Sequence, residues 1–166
     1  LGKALGATVI AAASSDDKLA LCTELGADHT INYSNESLKD RVKELTGGAG
    51  VDVVYDPVGG DFSEPAVRSM GWKGRYLVIG FASGPIPSIP LNLTLLKGCS
   101  IVGVFWGRFT MEEPEVHLAN IETLWEWFEE GKIKPVITDV FPIEEYEGAY
   151  AAMMERRAKG KVILTF

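Results

Sequence analysis

The amino-acid sequence predicts an α/β protein in which helices cover both faces of a doubly wound parallel sheet. Short apolar runs of strand length alternate with segments of helical spacing, and short turns rich in glycine and proline join them. The 166 residues, of which 46% are hydrophobic and 23% charged, are enough for one domain with a core. Sheets of this kind bind ligands at the carboxyl ends of their strands, so the site is expected in the loops there.

Seven segments are predicted to be extended because they are short, apolar and bounded by turn residues. In chain order they cover residues 7–12, 30–33, 51–55, 75–79, 100–105, 135–141 and 161–166. The sequence GPIPSIP at 84–90 predicts an extended loop, because prolines hold the chain extended.

Helices are predicted where apolar residues recur every three or four positions and a glycine follows. They cover residues 1–5, 19–25, 38–45, 62–70, 116–128 and 143–156. Residues 14–17 are expected to cap the second helix, and Ser37 the third. The first begins without a cap, which predicts that it is the end of a longer helix. Trp125, Trp127 and Phe128 are interpreted as packing residues of the long helix.

Composition excludes several classes of function. A net charge of −7 argues against a nucleic-acid surface, which needs a basic patch. Cys22 and Cys99 lie in apolar surroundings and are predicted to be buried thiols, and His29 and His117 are predicted to be surface residues too far apart for a metal site. No apolar run approaches the roughly 20 residues of a membrane span, and no signal peptide is visible, so a cytoplasmic location is expected.

Four segments of the chain resemble the medium-chain dehydrogenase/reductase superfamily. They read LGKALGATVIAAASSDDKLALCTELGADHTINY, GVDVVYDPVGG, GRYLVIGFASG and ERRAKGKVILTF. The similarity is greatest to the zinc-independent NADPH:quinone oxidoreductases, in their C-terminal part. It implies a Rossmann-type domain over residues 1–131 that lacks its first strand and its glycine-rich loop. It also implies that residues 132–166 return to a GroES-like catalytic domain.

The loop after the first strand is the expected site for the 2′-phosphate of NADPH. NAD-binding domains place an acidic residue at the end of this strand, whereas here alanines and the hydroxyls of Ser14 and Ser15 follow it. Lys18 lies one turn into the next helix, whose N-terminus favours anions. The resemblance implies phosphate contacts from Lys18, from Tyr33 fifteen residues later, and from Arg157.

Simpler interpretations stay open for this loop. Lys18 and Arg157 are alternatively solvated cations, and Tyr33 a half-buried strand residue. If Asp16 turned toward the ribose it would repel a phosphate, and helix capping is the preferred role for this side chain.

Three further loops are expected at the cofactor. Glycine allows backbone to approach a ligand closely, which favours the turn with Val58 and Gly59 as a contact to the adenine-side ribose of the cofactor. The resemblance implies that Gly80, Phe81 and Ala82 present backbone to the nicotinamide carboxamide. Phe105, and Trp106 beside it, follow the fifth strand and could face the nicotinamide and a flat substrate. The alternatives are an ordinary turn at 56–60 and core or interface packing for the two aromatic residues.

The resemblance implies hydride transfer from NADPH to a quinone or a related enone, with no catalytic side chain assigned. Two alternatives are an enoyl-thioester (acyl-CoA) reductase and a non-catalytic cofactor-binding protein. The resemblance also implies that the apolar strand from Ser100 to Phe105 is an edge strand that pairs with its copy in a second chain, so a homodimer through this edge is predicted. Because the predicted sheet lacks its central strand, two strands would keep unpaired backbone groups. Residues 1–166 alone are therefore predicted to be inactive, and to fold poorly or borrow pairing from another copy.

Overall fold

The computed structural model of the chain describes residues 1–155 and 157–166. In this part of the chain, strands alternate with helices, which confirms the predicted α/β class. The strands are β1 Ile10–Ala13, β2 His29–Asn32, β3 Val51–Asp56, β4 Met70–Val78, β5 Ser100–Gly103, β6 Ile137–Pro142 and β7 Lys161–Thr165. The α-helices are α1 Asp16–Glu24, α2 Leu38–Leu45, α3 Ser63–Ser69, α4 Asn92–Lys97, α5 Trp106–Glu112, α6 Pro114–Glu129 and α7 Tyr146–Met154.

The strands form three sheets, and every pairing is parallel. β1 pairs with β2, β3 to β5 form a sheet in the order β3-β4-β5, and β6 pairs with β7. Among the described residues, β1 has β2 as its one strand partner and β3 has β4, so each keeps an unpaired edge, as the sequence predicts. β5 lies at the edge of its sheet, which is also as predicted.

The main core lies between β4 and the helices on either side of it. Val67 of α3 and Met70 at the start of β4 are almost fully buried, and Tyr76 of β4 and Leu93 of α4 pack into the same cluster. Burial of each such side chain contributes about 1.5–3 kcal/mol, so this layer holds α3 and β4 together. The parallel pairing of β3 with β4, which sets Asp56 opposite Val78, places the carboxyl ends of the two strands side by side.

Two of the observed helices, α4 and α5, lie where the sequence predicts no helix. α4 has six residues, which is too short to show a periodic pattern. α5 starts directly after Phe105, which supplies no side-chain cap, so the sequence carries no start signal there. Neither helix was predicted.

Element boundaries shift at several other places. β4 begins at Met70, five residues earlier than predicted, because the chain passes from α3 into the strand without a separate turn. α6 begins at Pro114, a residue favoured in the first helical turn. The predicted helix 143–156 starts as a 3-10 turn before α7, and its predicted end, Arg156, lies outside the described residues.

Side-chain burial corrects three interpretations. Cys99 is buried as predicted, but Cys22 is half-buried. Trp125 of α6 is exposed and touches the Phe128 ring edge-on at 5.8 Å between centroids, so its predicted role in packing α6 against the fold is wrong. His117 is half-buried against Trp106 and Phe109, and is not the surface residue predicted. In the part of the chain that the structure describes, no helix has the length and apolar character to cross a membrane.

Candidate functional site

The loops at the carboxyl ends of β3 and β4 are organised by one buried carboxylate, Asp56. Its Oδ1 accepts hydrogen bonds from the backbone N–H of Val58, at 2.8 Å, and of Gly59, at 3.0 Å. Its Oδ2 accepts from the hydroxyl of Ser63, at 3.2 Å, and from the Tyr76 hydroxyl in a short hydrogen bond. A buried carboxylate is costly unless it is hydrogen-bonded, and here both oxygens have two donors.

The pKa values of the pair follow from this environment. Burial by itself raises the pKa of the Asp56 carboxyl, but the hydrogen bonds that it accepts outweigh this effect and hold the pKa below its ordinary value. Burial and the bond to Asp56 together raise the pKa of the Tyr76 hydroxyl. Asp56 is therefore ionised and Tyr76 is a protonated donor at neutral pH.

Backbone hydrogen bonds join the loop after β3 to the loop after β4. The N–H of Ala82 donates to the carbonyl of Pro57 at 3.0 Å, and the N–H of Ser83 donates to the carbonyl of Val58 at 2.9 Å. Gly59 has φ 69° and ψ −151°, and a Cβ on it would lie 2.8 Å from Cδ1 of Phe81. Glycine is required here mainly by the positive φ of the backbone and to a smaller extent by the nearby Phe81 ring, while its predicted approach to a cofactor stays a prediction.

The loop after β1 is bonded to the loop after β2. The Ser34 hydroxyl donates to the carbonyl of Ser14 at 2.9 Å, and the N–H of Tyr33 donates to the carbonyl of Ala13 at 3.1 Å. These bonds bring the predicted residues Ser14 and Tyr33 to the same edge of the β1–β2 sheet.

Asp16 does not have the predicted capping role. The N-cap of α1 is Ser15, without a side-chain cap, and the Asp16 carboxylate accepts instead from the side-chain amide of Asn32 at 2.7 Å. Asn32 is buried at the end of β2, so it offers a fixed donor that draws the carboxylate away from the helix amides. The prediction missed this pair because the two residues are sixteen positions apart.

The C-terminal tail meets the start of α1 through an ion pair. Lys159 Nζ lies 3.1 Å from Oδ2 of Asp17, next to Lys18. Among the described residues, no ion pair or hydrogen bond engages the side chain of Lys18. Arg157, two positions before Lys159, pairs instead with Glu155 at 2.7 Å. The tail thus reaches the start of α1 through Lys159, while the Arg157 guanidinium is occupied by a neighbouring carboxylate.

Tyr33 is half-buried against an aromatic partner that the sequence analysis did not identify. The ring centroids of Tyr33 and Phe62 lie 4.3 Å apart, with the planes inclined at 44°. Phe62 belongs to a short 3-10 turn after Gly59, so the contact links the β2 loop to the β3 loop. Sequence offered no signal for it, because Tyr33 follows β2 and Phe62 follows β3, and these two strands belong to different sheets.

Phe105 and Trp106 line an open cavity at the end of β5. The side chains are 75% and 64% exposed, so they do not pack in the core as one interpretation held. The cavity measures about 540 Å³ and is lined by Gly103, Val104, Phe105, Trp106, Arg108, Phe109, Glu112 and Glu113. Among the described residues, no cluster of three or more His, Cys, Asp or Glu side chains could hold a metal ion.

Comparison with known proteins identifies the family. A family model described as zinc-binding dehydrogenase matches residues 1–123. The chain belongs to this dehydrogenase family. A Bos taurus protein named quinone oxidoreductase-like protein 2 is 44% identical over 161 residues, which are 97% of this chain and 46% of that protein. A Pseudomonas aeruginosa quinone oxidoreductase is 34% identical over 162 residues, 98% of this chain and 50% of that protein.

A comparison with a solved structure supports the assignment of the fold. Escherichia coli quinone oxidoreductase complexed with NADPH superposes with a TM-score of 0.87 at 28% identity, covering 99% of this chain and 51% of that one. The predicted Rossmann-type fold and the membership of the medium-chain dehydrogenase/reductase superfamily, in its quinone oxidoreductase branch, are confirmed. The chain spans about half the length of the relatives that it matches.

Proposed function

We propose that the protein is an oxidoreductase that uses NADPH and reduces a quinone or a related enone. The observation that favours NADPH over NADH is which charged side chains at the start of α1 already have partners. Both acidic residues beside Lys18 are engaged elsewhere, Asp16 by Asn32 and Asp17 by Lys159. Lys18 is then a cation without a carboxylate partner among the described residues, at a helix N-terminus that favours anions.

A 2′-phosphate fits this arrangement better than a free ribose 2′-hydroxyl. A hydroxyl is held by an acidic side chain that turns toward it, but Asp16 turns toward the buried amide of Asn32. In the proposal Lys18 and the hydroxyls of Ser14 and Ser15 bind the phosphate. Arg157 would have to leave Glu155 to bind the phosphate as well. The loss of that ion pair would cost little free energy, because both side chains are exposed.

The nicotinamide end is assigned to the loop after β4, where Gly80, Phe81 and Ala82 would present backbone and one ring edge to the carboxamide. Val58 and Gly59, in the joined loop after β3, would contact the adenine-side ribose. When bound there, NADPH supplies the hydride. The chain's own residues hold the flat ring in place and exclude water from one side of it. Phe105, at the open cavity after β5, is assigned to the flat acceptor.

The proposal also covers the division into domains, the assembly of two copies and the role of zinc. Residues 1–131 would form the nucleotide-binding domain, and residues 132–166, with the separate β6–β7 sheet, would return to a catalytic domain. The exposed edge of β5 would pair with a second copy of the protein to make a homodimer. The proposed reaction needs no zinc ion.

The cofactor assignment is tested by binding of NADPH and NADH to the intact protein that contains these residues. Lys18→Ala should weaken NADPH binding about tenfold or more, because a hydrogen-bonded charge on phosphate is lost, and should leave NADH binding unchanged. Lys43→Ala is the matched control, because Lys43 is an exposed lysine of α2 without an ion pair among the described residues. A preference of the unchanged protein for NADH would refute the phosphate site.

The acceptor is tested separately by the rate of NADPH oxidation. Quinones and simple enones should support steady turnover. Turnover with enoyl-thioesters alone would identify the acyl-CoA reductase alternative, and cofactor binding without turnover on any acceptor would identify a non-catalytic binding protein.

A further inference from the structure

Asn32 is a buried residue whose side chain reaches the loop proposed for the 2′-phosphate. It lies at the end of β2 and is 7% exposed. Its Nδ2 donates to Oδ1 of Asp16 at 2.7 Å, and its Oδ1 accepts from the backbone N–H of Ser34 at 3.1 Å. The backbone N–H of Asn32 donates in turn to Oε1 of Glu36 at 2.9 Å. The side-chain amide is therefore held at both its oxygen and its nitrogen, with the nitrogen directed at Asp16.

The exposed Asp16 carboxylate depends on this amide for its position. In the part of the chain that the structure describes, Asn32 is the one side chain that binds it. Asp16 is the first residue of α1, and the N-cap Ser15 forms no side-chain bond to the amides of the first turn. A carboxylate released from Asn32 would be free to bind those amides or the nearby Lys18, because the positive end of the helix attracts it.

We propose that Asn32 is a positioning residue that sets the preference for NADPH over NADH. This inference rests on the proposed function, and it names the side chain that keeps Asp16 out of the phosphate site. A released Asp16 carboxylate would repel a 2′-phosphate at the start of α1. The same carboxylate would accept a hydrogen bond from the free 2′-hydroxyl of NADH, as acidic residues do in NAD-binding domains. The two cofactors should therefore respond in opposite directions when Asn32 is changed.

The role of Asn32 is separable from the bonds that join the two loops. The Ser34 hydroxyl donates to the carbonyl of Ser14 without using any part of the Asn32 side chain. Asn32→Asp keeps the size of the residue and the acceptor for the Ser34 N–H, but it replaces the donor that faces Asp16 by an oxygen. The loops should therefore stay joined while the Asp16 carboxylate is repelled.

The test measures the Kd of NADPH and of NADH by calorimetry at pH 8, on the intact protein that contains these residues. Asn32→Asp should raise the Kd of NADPH about tenfold or more, because a released carboxylate then lies beside the phosphate. The Kd of NADH should fall, or stay within about twofold of its original value. A general loosening of the loops would instead weaken the binding of both cofactors together.

The exchanged pair, Asp16→Asn with Asn32→Asp, shows where the charge acts. It restores a hydrogen bond between an amide and a carboxylate, with the negative charge now on the buried residue. The Kd of NADPH should return to within about twofold of its original value, as the coupling of two residues in contact requires. A loss that persisted in the exchanged pair would mean that the new charge itself repels the phosphate, and would overturn the role of the hydrogen bond.

Two further variants guard against a failure to fold and against a general effect of the substitution. Asn32→Ala removes the donor without adding a charge, and it should also weaken NADPH binding. Adding Asp16→Ala to it should recover that binding, because the released carboxylate is then absent. Asn120→Asp, at an exposed position of α6, makes the same chemical change away from the site and should alter neither Kd.

The outcomes separate the two proposals. A preference for NADPH that survived both Asn32→Asp and Asn32→Ala, or an equal loss of both cofactors, would overturn the role of Asn32 and leave the proposed function intact. If the unchanged protein preferred NADH or bound neither cofactor, the proposed function would fail, and the role of Asn32 would fail with it.

Discussion

Gly59→Ala tests the geometry of the candidate site most directly. Gly59 has φ 69° and ψ −151°, a combination that side chains with a Cβ adopt at a cost of about 1–3 kcal/mol, with this region at the upper end. The new Cβ would also lie 2.8 Å from Cδ1 of Phe81. Because Phe81 is 39% exposed, its ring can swing outward, so the contact adds little to the backbone strain. We expect destabilisation of about 3 kcal/mol.

Gly47→Ala is the matched control for this substitution. Gly47 also has a positive φ, of 58°, but a Cβ there would meet nothing within 4 Å. The left-handed conformation alone costs about 1 kcal/mol. In a unit of this size each kcal/mol lowers the melting temperature by about 3 °C, so the expected decreases are about 9 °C for Gly59→Ala and about 3 °C for Gly47→Ala.

Thermal unfolding of the intact protein, followed by circular dichroism, measures both decreases. The double variant Gly59→Ala with Phe81→Ala removes the contact but keeps the backbone strain, so it should recover less than about a third of the loss. Equal decreases for the two single variants, or full recovery in the double variant, would refute the strained-turn explanation. Gly59→Ala should also weaken NADPH binding, because the displaced Phe81 ring belongs to the proposed nicotinamide surface.

Two predictions concern charge and assembly. The pKa of Asp56 is lowered in the folded state, so its contribution to stability is present above the unfolded value of about 3.9 and is lost as the pH falls through the folded value. Urea unfolding should therefore show a stability difference between the unchanged protein and Asp56→Asn that shrinks below about pH 4; a difference that grew on acidification would contradict the sign. Val102→Lys, on the exposed edge strand β5, should convert the proposed homodimer to monomer, whereas Asn35→Lys in an exposed loop should not. Sedimentation equilibrium measures both, and a monomer before any substitution would defeat the dimer proposal.

The strand ends and helix caps that could be predicted are those that a few neighbouring residues determine. β3 ends within one residue of its predicted end, because VDVVY is followed by Asp-Pro, and Ser37 accepts from the N–H of Asp40 as a cap residue should. α4 and α5 were missed because six or seven residues give too few turns for a periodic signal. Local pattern therefore located the loops of the site better than it located the short helices around them.

The contacts that define the site could not be predicted because they join distant parts of the chain. The sequence predicts a turn that includes Asp56, but the bond from this residue to Tyr76 spans twenty positions and depends on how β3 and β4 are paired. The Asp16–Asn32 bond likewise depends on the register of β1 and β2, which sets the ends of both strands side by side. Sequence gives the residue types at strand ends, whereas the partners follow from register.

The two pairs of loops are built in the same way, and in the proposed function they would bind different parts of a long ligand. Hydrogen bonds fasten the loop after β1 to the loop after β2, and others fasten the loop after β3 to the loop after β4. The Tyr33–Phe62 contact crosses from one pair to the other. Since an aromatic contact is worth about 0.5–1.5 kcal/mol, it is too weak by itself to set their spacing. A dinucleotide whose 2′-phosphate binds Lys18 and whose nicotinamide lies at residues 80–82 would span both pairs, so the cofactor itself would add to the forces that hold them in register.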